Sequence, residues 1–181
     1  VAAGDDPIAK TLAYLGTEHM ARGEWAEGAA YLDRYLQHPQ ALWGDERAQC
    51  YHKLATCFRG LGNPAASVET EMRALRERHD WGETYVGLSQ GYAALGNWAA
   101  AEHWAGQALH WGMPHSPLIL NPLEFTFLPL VTIADACAAQ GKWAEAREAI
   151  QKAQAVCQNE YAASRAAEIE RQASERQIVD A

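Results

Sequence analysis

Three histidines, His103, His110 and His115, stand with Trp104 and Trp111 interleaved and Glu102 beside them, the nearest thing in this sequence to a ligand cluster. His103 and His110 are seven residues apart and share one helix face, so a transition metal held together with Glu102 is one reading. Metal-binding histidine pairs on helices sit at i and i+4, however, and solvated histidines on a helix are common. The spacing therefore predicts no metal, and nothing else in the chain calls for a cofactor. The close aspartates, Asp5-Asp6, are adjacent and sit in the N-terminal stretch. There is no Gly-rich phosphate loop before a helix, no Gly-x-Ser-x-Gly and no His-Glu-x-x-His, so the sequence predicts no catalytic residue. Cys50, Cys57, Cys137 and Cys157 form no Cys-x-x-Cys pair and read as small, reduced core residues.

The elements that carry these residues are legible from composition. The 181 residues are 49% hydrophobic and 21% charged, with a net charge of −8. That is too apolar for a disordered acidic tail. No run reaches the ~18 consecutive apolar residues of a membrane span. The 15 Lys and Arg against 23 Asp and Glu argue against nucleic acid, whose binders gather cations on phosphates. Residues 79–141 contain no Lys or Arg at all. Alanine occurs 36 times and Val plus Ile only 12, which favours helix over sheet. The start, Val-Ala-Ala-Gly-Asp-Asp-Pro, lacks the basic-then-apolar order of a signal peptide. It reads as a cut from a longer protein, with a cytoplasmic location expected.

Four phrases recur: Arg22-Gly23-Glu24-Trp25, Leu61-Gly62-Asn63-Pro64, Leu95-Gly96-Asn97-Trp98 and Gln140-Gly141-Lys142-Trp143. Their glycines are 39, 34 and 45 residues apart. Each phrase suits a tight turn between antiparallel helices, the Gly supplying the left-handed residue that ends the first helix. Three residues beyond each Trp, or beyond Pro64, stands a small residue: Gly28, Ser67, Ala101 or Ala146. Before each turn the pattern is large, large, small, large, as in Tyr51, Leu54, Ala55, Phe58 and in Leu12, Leu15, Gly16, His19, which is helical spacing.

On these phrases the chain resembles the tetratricopeptide repeat (TPR) family over roughly residues 8–157. The resemblance implies an all-α, right-handed α-solenoid of about four helix-turn-helix units with a C-terminal capping helix. The units are expected at about 9–39, 48–80, 82–114 and 127–157, after a disordered or linker N-terminus at 1–7. Residues 158–181 form the capping helix and tail, and a Pro-rich insertion occupies 112–126. Pro39 and Pro114 are expected to stop the second helices of units one and three. The insertion is expected to lengthen the third turn and cover the junction of units three and four; long loops of this kind are also where function gathers. Glu71 stands where an aromatic or aliphatic residue is usual, so packing is least certain there.

The junction Asp80-Trp81-Gly82-Glu83 and the insertion with Asn121-Pro122 look like the repeat region beside bacterial family-2 glycosyltransferases. That resemblance implies a parent enzyme that transfers a sugar, of which this chain is a non-catalytic part. It would mediate protein or peptide binding or self-association. The alternative is an accessory surface for a glycan or glycosylated acceptor, with Trp104 and Trp111 stacking on sugar; core packing is the bland reading of both rings. In the family, partners bind the inner face of the first helices. Projected onto this sequence that face carries Lys10, Thr17, Gln49, His52, Thr56, Arg59, Glu83, Gln90 and Asp135. It grades from weakly basic to acidic and apolar. Lys10 and Arg59 alone do not make the family's carboxylate clamp, so a mixed, partly apolar peptide is the expected ligand.

Overall fold

The computed structural model describes residues 7–179, which hold nine α-helices. They are α1 (Pro7–Ala21), α2 (Trp25–Leu36), α3 (Gly44–Gly60), α4 (Pro64–Glu77) and α5 (Gly82–Ala94). Then come α6 (Trp98–Trp111), α7 (Pro122–Ala139), α8 (Trp143–Val156) and α9 (Glu160–Val179). The linker expected at 1–7 lies outside the described residues except for Pro7, which opens α1.

Each helix pair closes at a turn whose glycine has positive φ, between 72° and 76° at Gly23, Gly62, Gly96 and Gly141. A side chain is strained in that conformation, so the repeated glycine is required by the turn. Asn63 and Asn97 cap the following helices, their side chains accepting from the Ala66 and Ala100 amides, which satisfies donors that helix starts leave open. The small residue inside each second helix does what its size suggests. A Cβ on Gly28 would come within 3.2 Å of Cys57 Sγ and of the Gly16 carbonyl, so larger residues would force the helices apart.

Odd-numbered helices touch one another (α1 with α3, α3 with α5, α5 with α7), whereas α2, α4, α6 and α8 do not. The first helices thus form a continuous inner layer, and the second helices splay on the outside. Buried Leu32, Tyr35, Cys50 and Leu54 join units one and two. Phe127, Val131, Ile150 and Ile169 join α7, α8 and α9. Asn159 caps α9, which lays Ala162, Ile169 and Ala173 on the array and turns polar residues outward. The 18 residues of α7, with mean hydropathy 1.3, have the length and composition of a membrane span. Here α7 packs on α5, α6, α8 and α9, so burial accounts for its apolar character.

Several expectations need correction. Helix α7 begins at Pro122, five residues before the expected start of the fourth unit, because Asn121 caps it and proline suits a first helical position. Pro129 is accommodated within that helix. Helix α6 is ended by Gly112, at φ 63°, ahead of Pro114. Leu15, one of the large positions of the repeat pattern, is 37% exposed. Glu71 is completely buried.

Candidate functional site

The inner layer gathers a polar cluster where α3, α4 and α5 meet. His52 Nδ1 lies 2.8 Å from Glu71 Oε1, and Arg59 Nη1 lies 3.8 Å from the same oxygen. Arg59 also donates to Ser67 Oγ at 3.0 Å and to Thr56 Oγ1 at 2.8 Å. Thr56 in turn donates to the His52 carbonyl. Room for the Glu71 carboxylate comes from Gly87 on α5, where a Cβ would stand 1.7 Å from Oε1. Burial alone would lower the His52 pKa, but the Glu71 charge and hydrogen bond outweigh it and hold the imidazole above its ordinary value. Burial holds Arg59 below its own ordinary value. Next to this cluster Glu83, 4% exposed, accepts from Trp81 Nε1 at 2.8 Å, and burial raises its pKa.

Four projected residues are therefore already engaged: His52 and Arg59 tie α3 to α4 within unit two, Thr56 bonds within α3, and Glu83 holds Trp81 at the start of α5. Thr17 donates back to the Ala13 carbonyl of its own helix. Asp135 accepts Arg165 Nε and Nη2 at 2.9 and 2.6 Å, tying α7 to the capping helix. Lys10 is half-buried on α1. Gln49 accepts from Lys53, and both line a cavity of about 540 Å³ that also receives Glu83. Gln90 and Asp135 share a second cavity of about 340 Å³, walled by Phe127, Leu128, Val131 and Tyr161. The structure thus divides the projected face into a fastened middle and two open hollows.

The first hollow has a wall that register does not foresee. Contacts of residues 112–121 run back toward units one to three instead of covering the junction of units three and four. The Gly112 carbonyl lies where a Cβ on Gly82 would be, only 2.0 Å away. Ser116 Oγ donates to Asp45 Oδ2 at the start of α3 at 2.8 Å, across 71 residues. Asp45 is itself paired with Arg78. Pro117 to Asn121 then line the hollow together with Tyr14 of α1 and Glu124 of α7. Tyr14 is 69% exposed and Ile119 97%. Tyr14 adjoins the projected Ala13 and is within reach of the pattern; no sequence signal brings the insertion to α1.

The two tryptophans meet at Tyr85. The Trp111 ring stacks on it at 6.0 Å and 12°, and Trp104 tilts against it at 6.0 Å. Trp104 is half-buried and Trp111 40% exposed, so both serve packing with one face. No three His, Cys, Asp or Glu side chains among the described residues are grouped to hold a metal. Cys50, Cys57 and Cys137 are buried thiols, and burial pushes Cys50 up to about 12. The His52–Glu71 pair has no nucleophile beside it, since Thr56 Oγ1 is already bonded to a carbonyl and a guanidinium.

No protein-family model matches the sequence, and no curated protein matches it. Solved structures do. The chain is similar to the nearly identical TPR-like repeats of a kinesin light chain-like protein from Podosopora anserina, solved both with and without a single substitution. The substituted form is 17% identical, with TM-score 0.69, 94% of this chain covered and 89% of that one. The unsubstituted form is also 17% identical, at TM-score 0.66 with the same coverage. A thermophilic TPR protein of Thermus thermophilus is 18% identical, at TM-score 0.52, with 89% and 98% covered. At such identities the likeness is one of fold, and with the four glycine turns and the two-layered helix order it makes this chain a TPR-like helical repeat array.

Proposed function

We propose that the chain is a non-catalytic interaction module that binds an extended segment of a partner protein along its inner helix layer. The observation that carries this reading is the pair of hollows flanking the fastened middle of that layer, each combining apolar walls with amide or charged side chains. Such mixed lining suits a peptide with both apolar and polar side chains. With Arg59 spent on Glu71 and Ser67, a terminal carboxylate finds no clamp. A role beside a family-2 glycosyltransferase rests on the junction and insertion phrases, whose residues here do structural work: Trp81 is fully buried and Asn121 caps α7.

Selection from a displayed random-peptide library, followed by calorimetric titration, tests the reading. Selected peptides should lose at least about tenfold in affinity on Ile119→Ser or Gln90→Ala. Leu61→Ser, in a turn, should leave them unchanged. Peptides indifferent to both inner-face substitutions would refute it. Quenching of tryptophan fluorescence by sugar, abolished in Trp111→Ala, would support the glycan-binding alternative instead.

A further inference from the structure

Glu83 leaves a charge unmatched inside the first hollow. It lines that hollow although only 4% of it is exposed. Its Oε2 accepts from Trp81 Nε1, while Oε1 takes no hydrogen bond and the carboxylate joins no ion pair among the described residues. Burying a carboxylate without a cation is costly, and the same burial raises the Glu83 pKa. Glu124, half-buried in the first turn of α7, lines the hollow too, joins no ion pair among the described residues, and adds its negative charge to the field at Glu83. Two cationic groups stand near. Lys53 Nζ is held by Gln49 Oε1 at 3.1 Å, and the His52 ring is bonded to Glu71. The side chains lining the hollow thus set two carboxylates against one ammonium. Residues 79–141, which supply Glu83, Glu124 and the wall at 117–121, contain no Lys or Arg to balance them.

We infer that the first hollow is a socket for a basic side chain, Lys or Arg, carried by the extended partner segment. This rests on the interaction-module reading and names the chemistry that this hollow selects. A long basic side chain matches both parts of the lining. Its methylene stem lies along Tyr14, Leu118 and Ile119, as such stems do on apolar surface. Its cationic head reaches the free oxygen of Glu83 and the carboxylate of Glu124, and supplies the partner that Glu83 lacks. Other occupants fit worse. An apolar side chain would seal the Glu83 carboxylate under hydrocarbon, and an acidic one would face two like charges. A bare metal ion finds no group of three ligands among the described residues.

Peptides selected from a displayed random library on the full chain are the probe. Those that lose affinity on Ile119→Ser should carry a Lys or Arg. Replacing that residue with norleucine, which keeps an apolar stem and removes the charge, should weaken binding at least about tenfold in calorimetric titration. Glu124→Gln should weaken the basic peptide about fivefold or more and leave the norleucine peptide within about twofold, a coupling that a merely structural role would not produce. Glu83→Gln, which keeps the side-chain volume and an acceptor for Trp81, should act in the same direction. Circular dichroism melting checks that both variants fold, and half-buried Glu124 keeps the test decisive where Glu83→Gln does not. Peptides that respond to Ile119→Ser but carry no basic residue, or whose basic residue is indifferent to Glu124→Gln, overturn the socket and leave the interaction module standing. So do peptides that respond to Gln90→Ala alone. A selection that yields no peptide, or only peptides indifferent to both Ile119→Ser and Gln90→Ala, overturns the two readings together.

Discussion

Replacing Gly87 by alanine should unfasten units two and three. In a helix alanine is favoured over glycine by about 1 kcal/mol, so an unobstructed substitution would stabilise α5. At Gly87 the new methyl would lie 1.7 Å from Glu71 Oε1, 2.3 Å from its Cδ and 2.9 Å from His52 Nδ1. Glu71 is wholly buried and cannot swing to water. Overpacking a core costs about 1–3 kcal/mol, and separating a buried carboxylate from its partner about 3–5 kcal/mol. With partial relaxation, the net loss should be about 2–4 kcal/mol, or a fall of about 5–15 °C in melting temperature for a chain of this size. Denaturant and thermal melts followed by circular dichroism read it directly. Glu71→Ala removes the obstructing group, so in that background Gly87→Ala should be neutral or stabilising. A coupling of about 3 kcal/mol between the two sites is expected. If Gly87→Ala costs the same in both backgrounds within about 0.5 kcal/mol, the margin of additivity, the fastening argument fails.

The same cluster gives a pH dependence. Glu71 on α4 and Glu83 on α5 face His52, with Arg59 on its own helix opposing them. A histidine whose folded pKa is raised contributes stability that is full below its unfolded value, about 6.5, and is lost as pH rises through the folded value. The stability difference between wild type and His52→Gln should therefore shrink as pH rises above the unfolded value of about 6.5; a constant difference would refute the assignment. Arg78 holds a second junction. It donates to both oxygens of Asp80, pairs with Asp45 and lies 5.3 Å from the Trp81 ring centroid. Because Asp45 also holds Ser116, Arg78→Ala should speed hydrogen exchange across residues 112–121. Its cost in global stability should be only about 1 kcal/mol, since these charges are partly solvated. Unchanged exchange in the insertion would show that Asp45 holds it unaided.

The helical array was legible because its signals are local. A left-handed glycine, an Asn or Trp after it and a small residue inside the next helix are each demanded by geometry within a few residues, and four copies in register check one another. The site was less legible because its residues are chosen by partners far along the chain. Glu71 reads as a misfit at a buried position until His52, 19 residues earlier, and the hollow at Gly87 are seen beside it. A glycine in the middle of a helix is the one trace that sequence leaves of that arrangement. The insertion misleads for a similar reason. Its prolines and apolar residues foretell a packed segment, but its direction is set by Gly112 and by the Ser116–Asp45 bond, and no periodicity encodes either.

Projecting the family's inner face onto this chain marks the right surface, yet the chain spends the middle of that surface on itself. A buried ion-paired cluster is no gain in stability over a well-packed apolar one, so its presence at the junction of α3, α4 and α5 needs another reason. Directional bonds from His52 and Arg59 of α3 to a single oxygen of Glu71 on α4 lock unit two internally and fix the carboxylate against which Gly87 of unit three seats, and with it the rotation of unit three. An apolar contact would let those helices slide. That rotation sets where α5 and α7 stand relative to α1 and α3, and hence the width of the hollow between Tyr14 and the insertion. Substitutions at the cluster should therefore change ligand affinity through the geometry of a groove whose open walls they do not touch.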